Sequence, residues 1–139
     1  MRKIALLLVI SLFGAPLTYA YDKQRALDNL AEDVSTCVAY YTITLSNAKQ
    51  NAEKLNDKKW GEITIMYEAT VLNAMNLLRL TMTGKPEKFM ESKIDLRLQE
   101  QMKIIEAEGV DRLVYLHADS CKALMENPDQ RFKYWTDKQ

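Results

Sequence analysis

The sequence predicts an all-α fold: a small four-helix up-down bundle with a short C-terminal helical tail, closed by one disulfide. Three observations predict it. Apolar residues recur at steps of three and four through most of residues 22–126, the spacing that lays one apolar stripe along a helix. Glycine and proline are scarce, and Gly84, Pro86, Gly109 and Pro128 fall where those stripes stop. Cys37 and Cys121 sit on the first and last predicted helices, positioned to tie the chain's two ends together.

Residues 1–20 read as a secretory signal. Arg2 and Lys3 form a basic start, Ile4 to Phe13 is apolar apart from Ser11, and Gly14 and Pro16 loosen the helix beyond it. Thr18-Tyr19-Ala20 then supplies small residues at the peptidase site before Tyr21. The apolar run falls short of the roughly 20 residues that span hydrocarbon, so no stable membrane anchor is expected. The remaining residues, 21–139, form one α-helical domain in this reading, and the protein is periplasmic or secreted. An exported pair of cysteines is expected to oxidise to a disulfide.

The first predicted helix covers about Lys23–Leu55, with Asp22 as N-cap, and points Leu30, Val34, Cys37, Tyr41, Ala48 and Leu55 inward. Asn56-Asp57 ends it. The second runs from near Lys58 to Met82 and turns Ile63, Met66, Thr70, Ala74 and Leu77 inward, flanked by Tyr67, Val71, Leu78 and Thr81; Gly84 closes it. The third begins at Pro86 and ends at Glu108, with Phe89, Met90, Ile94, Leu98, Met102 and Ile105 inward. Gly109 separates it from the fourth, which reaches Glu126 and buries Val110, Leu113, Val114, His117, Cys121 and Leu124. Asn127-Pro128 breaks the pattern, and the tail after it has room for one more short turn.

Helices 1 and 4 are antiparallel neighbours in such a bundle. At 1.5 Å per residue Cys37 lies roughly 20 Å into helix 1, and Cys121 roughly 8 Å from the end of helix 4. Bridging them leaves helix 1 overhanging by about three turns, which Phe132 and Trp135 of the tail are placed to cover. Pairing of helix 1 with a second copy is the alternative, so a monomer or a homodimer is expected.

Charge narrows the partners. Lysine and arginine number 19 against 19 aspartate and glutamate; residues 1–20 hold two of the bases and no acid, leaving 17 against 19. A balance so close to neutral excludes nucleic acid and anionic membrane surfaces as main partners.

The residues able to carry chemistry are few. His117, the single histidine, lies four residues before Cys121, so both point the same way along helix 4. With Cys37 opposite, they form an incomplete zinc-type set, and an oxidising compartment favours the disulfide. Ser120 comes three residues after His117 without a nucleophile elbow, and no Gly-rich phosphate loop or Cys-x-x-Cys occurs. An exported four-helix bundle with one histidine on its last helix is similar to periplasmic b-type cytochromes, and the resemblance is one of architecture. It implies a haem ligated by His117 and by a methionine early in helix 1, yet no methionine lies between Tyr21 and Asn56.

The remaining feature is aromatic and basic. Tyr40 with Arg131, Phe132, Tyr134 and Trp135 supplies the residue types that dominate binding hot spots, forming a candidate interaction patch. The expectation is therefore an exported, non-enzymatic helical protein without cofactor or metal, acting on an unknown protein partner as an inhibitor, immunity-type protein or accessory protein. The alternative is a ligand- or haem-binding bundle built around His117.

Overall fold

A computed structural model describes residues 15–138 of the chain, with side chains from Asp22 onward. The described residues form five helices and no strand: α1 (Ala15–Leu55), α2 (Lys58–Thr81), α3 (Glu87–Glu108), α4 (Val110–Glu126) and α5 (Pro128–Asp137). Residues 1–14, most of the expected leader, lie outside the described residues.

Two boundaries depart from expectation. Asp22 caps nothing, because α1 continues upstream to Ala15. Pro16 is tolerated in a helix's first turn, and neither glycine nor proline interrupts the chain from Leu17 to Leu55. The tail is a full helix of ten residues. Asn127 caps it by accepting the Gln130 N–H at 3.1 Å, and Pro128 presets the first turn.

The joints follow from local chemistry. Asn56 ends α1 in the left-handed region at φ 47°, which asparagine tolerates better than most residues. Asp57 then caps α2, its Oδ1 accepting the Lys59 N–H at 2.9 Å. Gly109 separates α3 from α4 at φ 87°, ψ 169°, a region essentially restricted to glycine.

Cross-helix partners fix the directions. Lys49 of α1 meets Glu68 of α2 at 2.9 Å, as an antiparallel hairpin requires. Asp28 pairs with Lys85, Glu32 with Lys93 and Arg97, and the Thr36 carbonyl accepts from Gln101 at 2.8 Å. These partners climb together, so α3 runs parallel to α1. Cys37–Cys121 and Tyr40–His117 descend, so α4 is antiparallel to it. The up-down-up-down order holds, but the bundle is not a symmetric square. α1 packs against all four other helices, α3 also against α4, and α4 against α5, while α2 and α3 share no broad face.

That central position buries α1 on most sides. The predicted stripe residues Leu30, Val34, Cys37, Tyr41 and Ala48 are buried, and so are Ala31, Ser35, Val38, Ala39, Tyr40 and Thr44. The hydroxyls among them find partners on their own helix: Ser35 donates to the Glu32 carbonyl at 2.8 Å and Thr44 to those of Tyr40 and Tyr41. Small residues such as Ala31 and Ala39 let neighbouring helices approach on faces a single stripe leaves polar.

Elsewhere the inward face is rotated. Leu55, Met66, Phe89, Met102 and Val114, expected inward, are exposed. On α2 the buried seam is Ala74, Leu78 and Thr81, with Tyr67 and Val71 half-buried against the core. On α3, Gln101 replaces Met102 in the seam because its amide reaches the Thr36 carbonyl of α1. No helix among the described residues is long and apolar enough to cross a membrane.

Candidate functional site

One helical face continues across the α4–α5 joint. His117, Ser120, Cys121, Leu124, Asn127, Arg131 and Tyr134 succeed one another at steps of one, three or four, so the break at Pro128 bends this face without ending it. Facing it on α1 are Asp33, Thr36 and Cys37. Between the two lies a cleft of about 470 Å³, lined by these residues with Ala123 and Gln130.

The disulfide forms its floor. Cys37 and Cys121 are bonded with their Cα atoms 5.3 Å apart, and both are buried. Their sulfurs are therefore not available for the zinc-type set with His117. No group of three or more metal-ligating side chains occurs among the described residues.

Asp33 organises the mouth. Its Oδ2 accepts the Arg131 Nε–H at 2.7 Å and the Trp135 indole N–H at 2.6 Å. The Arg131 guanidinium lies over both Tyr134 and Trp135, 4.6 and 5.0 Å from their ring centres. The hydrogen bond to Asp33 chiefly raises the Arg131 pKa further above its usual range, so the side chain stays cationic.

His117 forms part of the wall. Burial lowers its pKa, which keeps the imidazole neutral near pH 7. Its Nε2 is buried without a hydrogen-bond partner among the described residues. Behind it stands Tyr40, ring centres 6.1 Å apart. Burial first, and then the neighbouring Tyr67 and Tyr41, push the Tyr40 pKa up to about 12.

The predicted patch is thus split. Tyr40 belongs to the core at 3% exposure and offers no surface for a partner, because α1 is enclosed where it sits. Phe132 and Trp135 are half-buried and pack inward against the core, covering α1 as the overhang required. Arg131 and Tyr134 remain at the cleft, joined there by His117.

Ser120 Oγ donates to the His117 backbone carbonyl at 3.1 Å, not to the imidazole. A haem in this cleft would find His117 but no methionine among the lining residues.

Two features escaped the sequence. Asp33 lies one turn before Cys37, a spacing that could have marked it, but an acid beside a stripe ordinarily reads as solvated. The second is the outer side of α2, where Ile65, Leu72 and Leu80 stand at 68%, 64% and 71% exposure, flanked by Met66. Their spacings of seven and eight place them on one side, opposite Ala74 and Leu78. Comparison of the chain with family models, curated proteins and solved structures finds no match, so geometry alone bears on function.

Proposed function

We propose that the protein is exported, loses its first 20 residues, and acts without catalysis by binding another protein through the outer face of α2. The exposed line of Ile65, Leu72 and Leu80 carries this reading. Large apolar side chains exposed together on one side of a small domain mark an interaction site more often than chance. No charge falls between Glu68 and Arg79, and Glu68 is itself paired with Lys49. The exposed polar groups of this face are the amides of Asn73 and Asn76, the latter already accepting from Arg79 at 3.1 Å, and each large apolar side chain on it gains about 1–2 kcal/mol on burial. Export is supported by the leader pattern and by a disulfide that an oxidising compartment would sustain.

The test is site-directed photo-crosslinking in an exporting host, with the reactive group at Leu72 or, as control, at exposed Lys122 of α4. One protein species crosslinked at Leu72, absent at Lys122 and lost when Ile65→Glu is added to a folded chain, is expected. The same products at both positions, or only a product of twice the chain's own mass, would overturn the reading. Intact mass of the purified protein checks export: Tyr21–Gln139 is expected, and an untrimmed chain refutes it.

A further inference from the structure

The cleft between α1, α4 and α5 has the volume of a small-molecule site and a mixed lining, with Arg131 and Asp33 toward one end, His117 and Ser120 toward the other and apolar groups between them. Leu124, Ala123 and the buried Cys37–Cys121 bridge supply the apolar part.

The Arg131 end is built before any ligand arrives. Arg131 is held at its Nε by Asp33 and on its flat face by Tyr134 and Trp135, and Asp33 is held in turn by the Trp135 indole. An arginine so fixed has given up its rotamer freedom already, so binding to it costs less entropy. Only one edge is committed. Arg131 Nη1 and Nη2 have no hydrogen-bond partner among the described residues. That remaining edge is a pair of parallel donors, the match for the two oxygens of a carboxylate.

We infer that this cleft binds a small organic monocarboxylate, its carboxylate on the free Nη edge of Arg131 and its apolar body along Leu124, Ala123 and the disulfide.

The neighbours discriminate against other ligands. Asp33 already balances Arg131, so a dianion such as phosphate meets a fixed negative charge, and Lys138, held over the Tyr134 and Trp135 rings, does not line the cleft. A cation finds its carboxylate partner, Asp33, already engaged by Arg131 and Trp135. A sugar needs an open aromatic face, and the guanidinium covers those of Tyr134 and Trp135. A monocarboxylate needs one bidentate donor and an apolar wall, and the cleft supplies both.

Two tryptophans make the test direct, because Trp135 is bonded to the site and Trp60 begins α2 on another side of α1. The oxidised protein, labelled with nitrogen-15, is titrated with hexanoate while both indole N–H signals are followed by NMR. The Trp135 signal is expected to move and saturate with a Kd of about 1 mM or tighter, with Trp60 stationary. Hexanamide, of the same shape without the charge, is expected to leave both still. Arg131→Gln should weaken hexanoate binding at least about tenfold, and Arg131→Lys, which keeps the charge but not the fork, should weaken it too. Equal responses to hexanoate and hexanamide, equal movement of the two indoles, or no saturation by about ten times that concentration would each overturn the assignment. The acid–amide comparison uses the unaltered chain, so it stands even if α5 loosens in the variants.

Discussion

Reduction of the Cys37–Cys121 bridge should lower the melting temperature by about 15–20 °C, and the size follows from the chain. The two cysteines are 84 residues apart, so the bond closes most of the folded part into one loop. Loop-closure entropy for that separation makes the bond worth about 4.5 kcal/mol. The whole stability of a domain this size is about 5–15 kcal/mol, so about 30% or more rests on one covalent link. An unfolding entropy of about 2 cal/mol/K per residue converts that loss to the shift just stated. The structure says where the loss is felt. α4 meets α1 mainly around the bridge and the Tyr40–His117 contact, without the interhelical ion pairs that pin α3. Far-UV circular dichroism melts of oxidised protein, reduced protein and the Cys37→Ala/Cys121→Ala variant would measure it. A reduced protein melting within about 5 °C of the oxidised form would refute the reasoning, since the unfolded chain would then be gaining little freedom. A melt that moves with protein concentration would instead show non-covalent self-association.

Gly109→Ala should cost about 1–3 kcal/mol from backbone strain alone, because a Cβ there meets nothing within 4 Å. Gly61→Ala, equally open but inside α2, should stabilise by about 0.5–1 kcal/mol, so urea midpoints of the two variants should move in opposite directions. Asp33→Asn should cost about 1.5–3 kcal/mol by weakening two hydrogen bonds to a charged acceptor, and amide exchange should quicken through α5 before it does through α2. His117 sets a pH dependence. Its folded pKa is lowered by burial, so the unfolded chain takes up the proton more readily. Its contribution is fully present above the ordinary value of 6.5 and is lost as pH falls from there toward the lowered folded value. Subtracting the urea-unfolding pH profile of His117→Gln from that of the unaltered chain should isolate this fall; parallel profiles would refute it.

The sequence was most legible where one residue type has one use. Gly109 and Asn127-Pro128 mark their joints because few other residues suit those backbone shapes, and both joints lie where they were expected. The two cysteines gave the α1–α4 register, and the register in turn required a cover for the overhang, which α5 supplies with Phe132 and Trp135. Legibility failed where periodicity was asked to do more than it can. A step of three or four shows that a face exists but does not choose between faces of similar character. Met66 and Met102 were expected inward on that ground alone, whereas Tyr67 and Gln101 hold those places through contacts with α1 that lie far away in sequence.

The same blindness explains the divided patch. Tyr40, Phe132 and Trp135 are chemically suited to a binding surface, and composition cannot separate that use from packing. Topology separates them. A helix with four neighbours buries side chains on most of its sides, so Tyr40 goes inward whatever its type. A helix with one broad neighbour buries only the side that faces it, so α2 keeps Ile65, Leu72 and Leu80 outside. Burial here follows the number of helices around each helix, and that number is set by the long α1 spine. The exposed apolar line on α2 is then the outer surface of the helix with the fewest neighbours, and it is the surface on which a partner has most to gain.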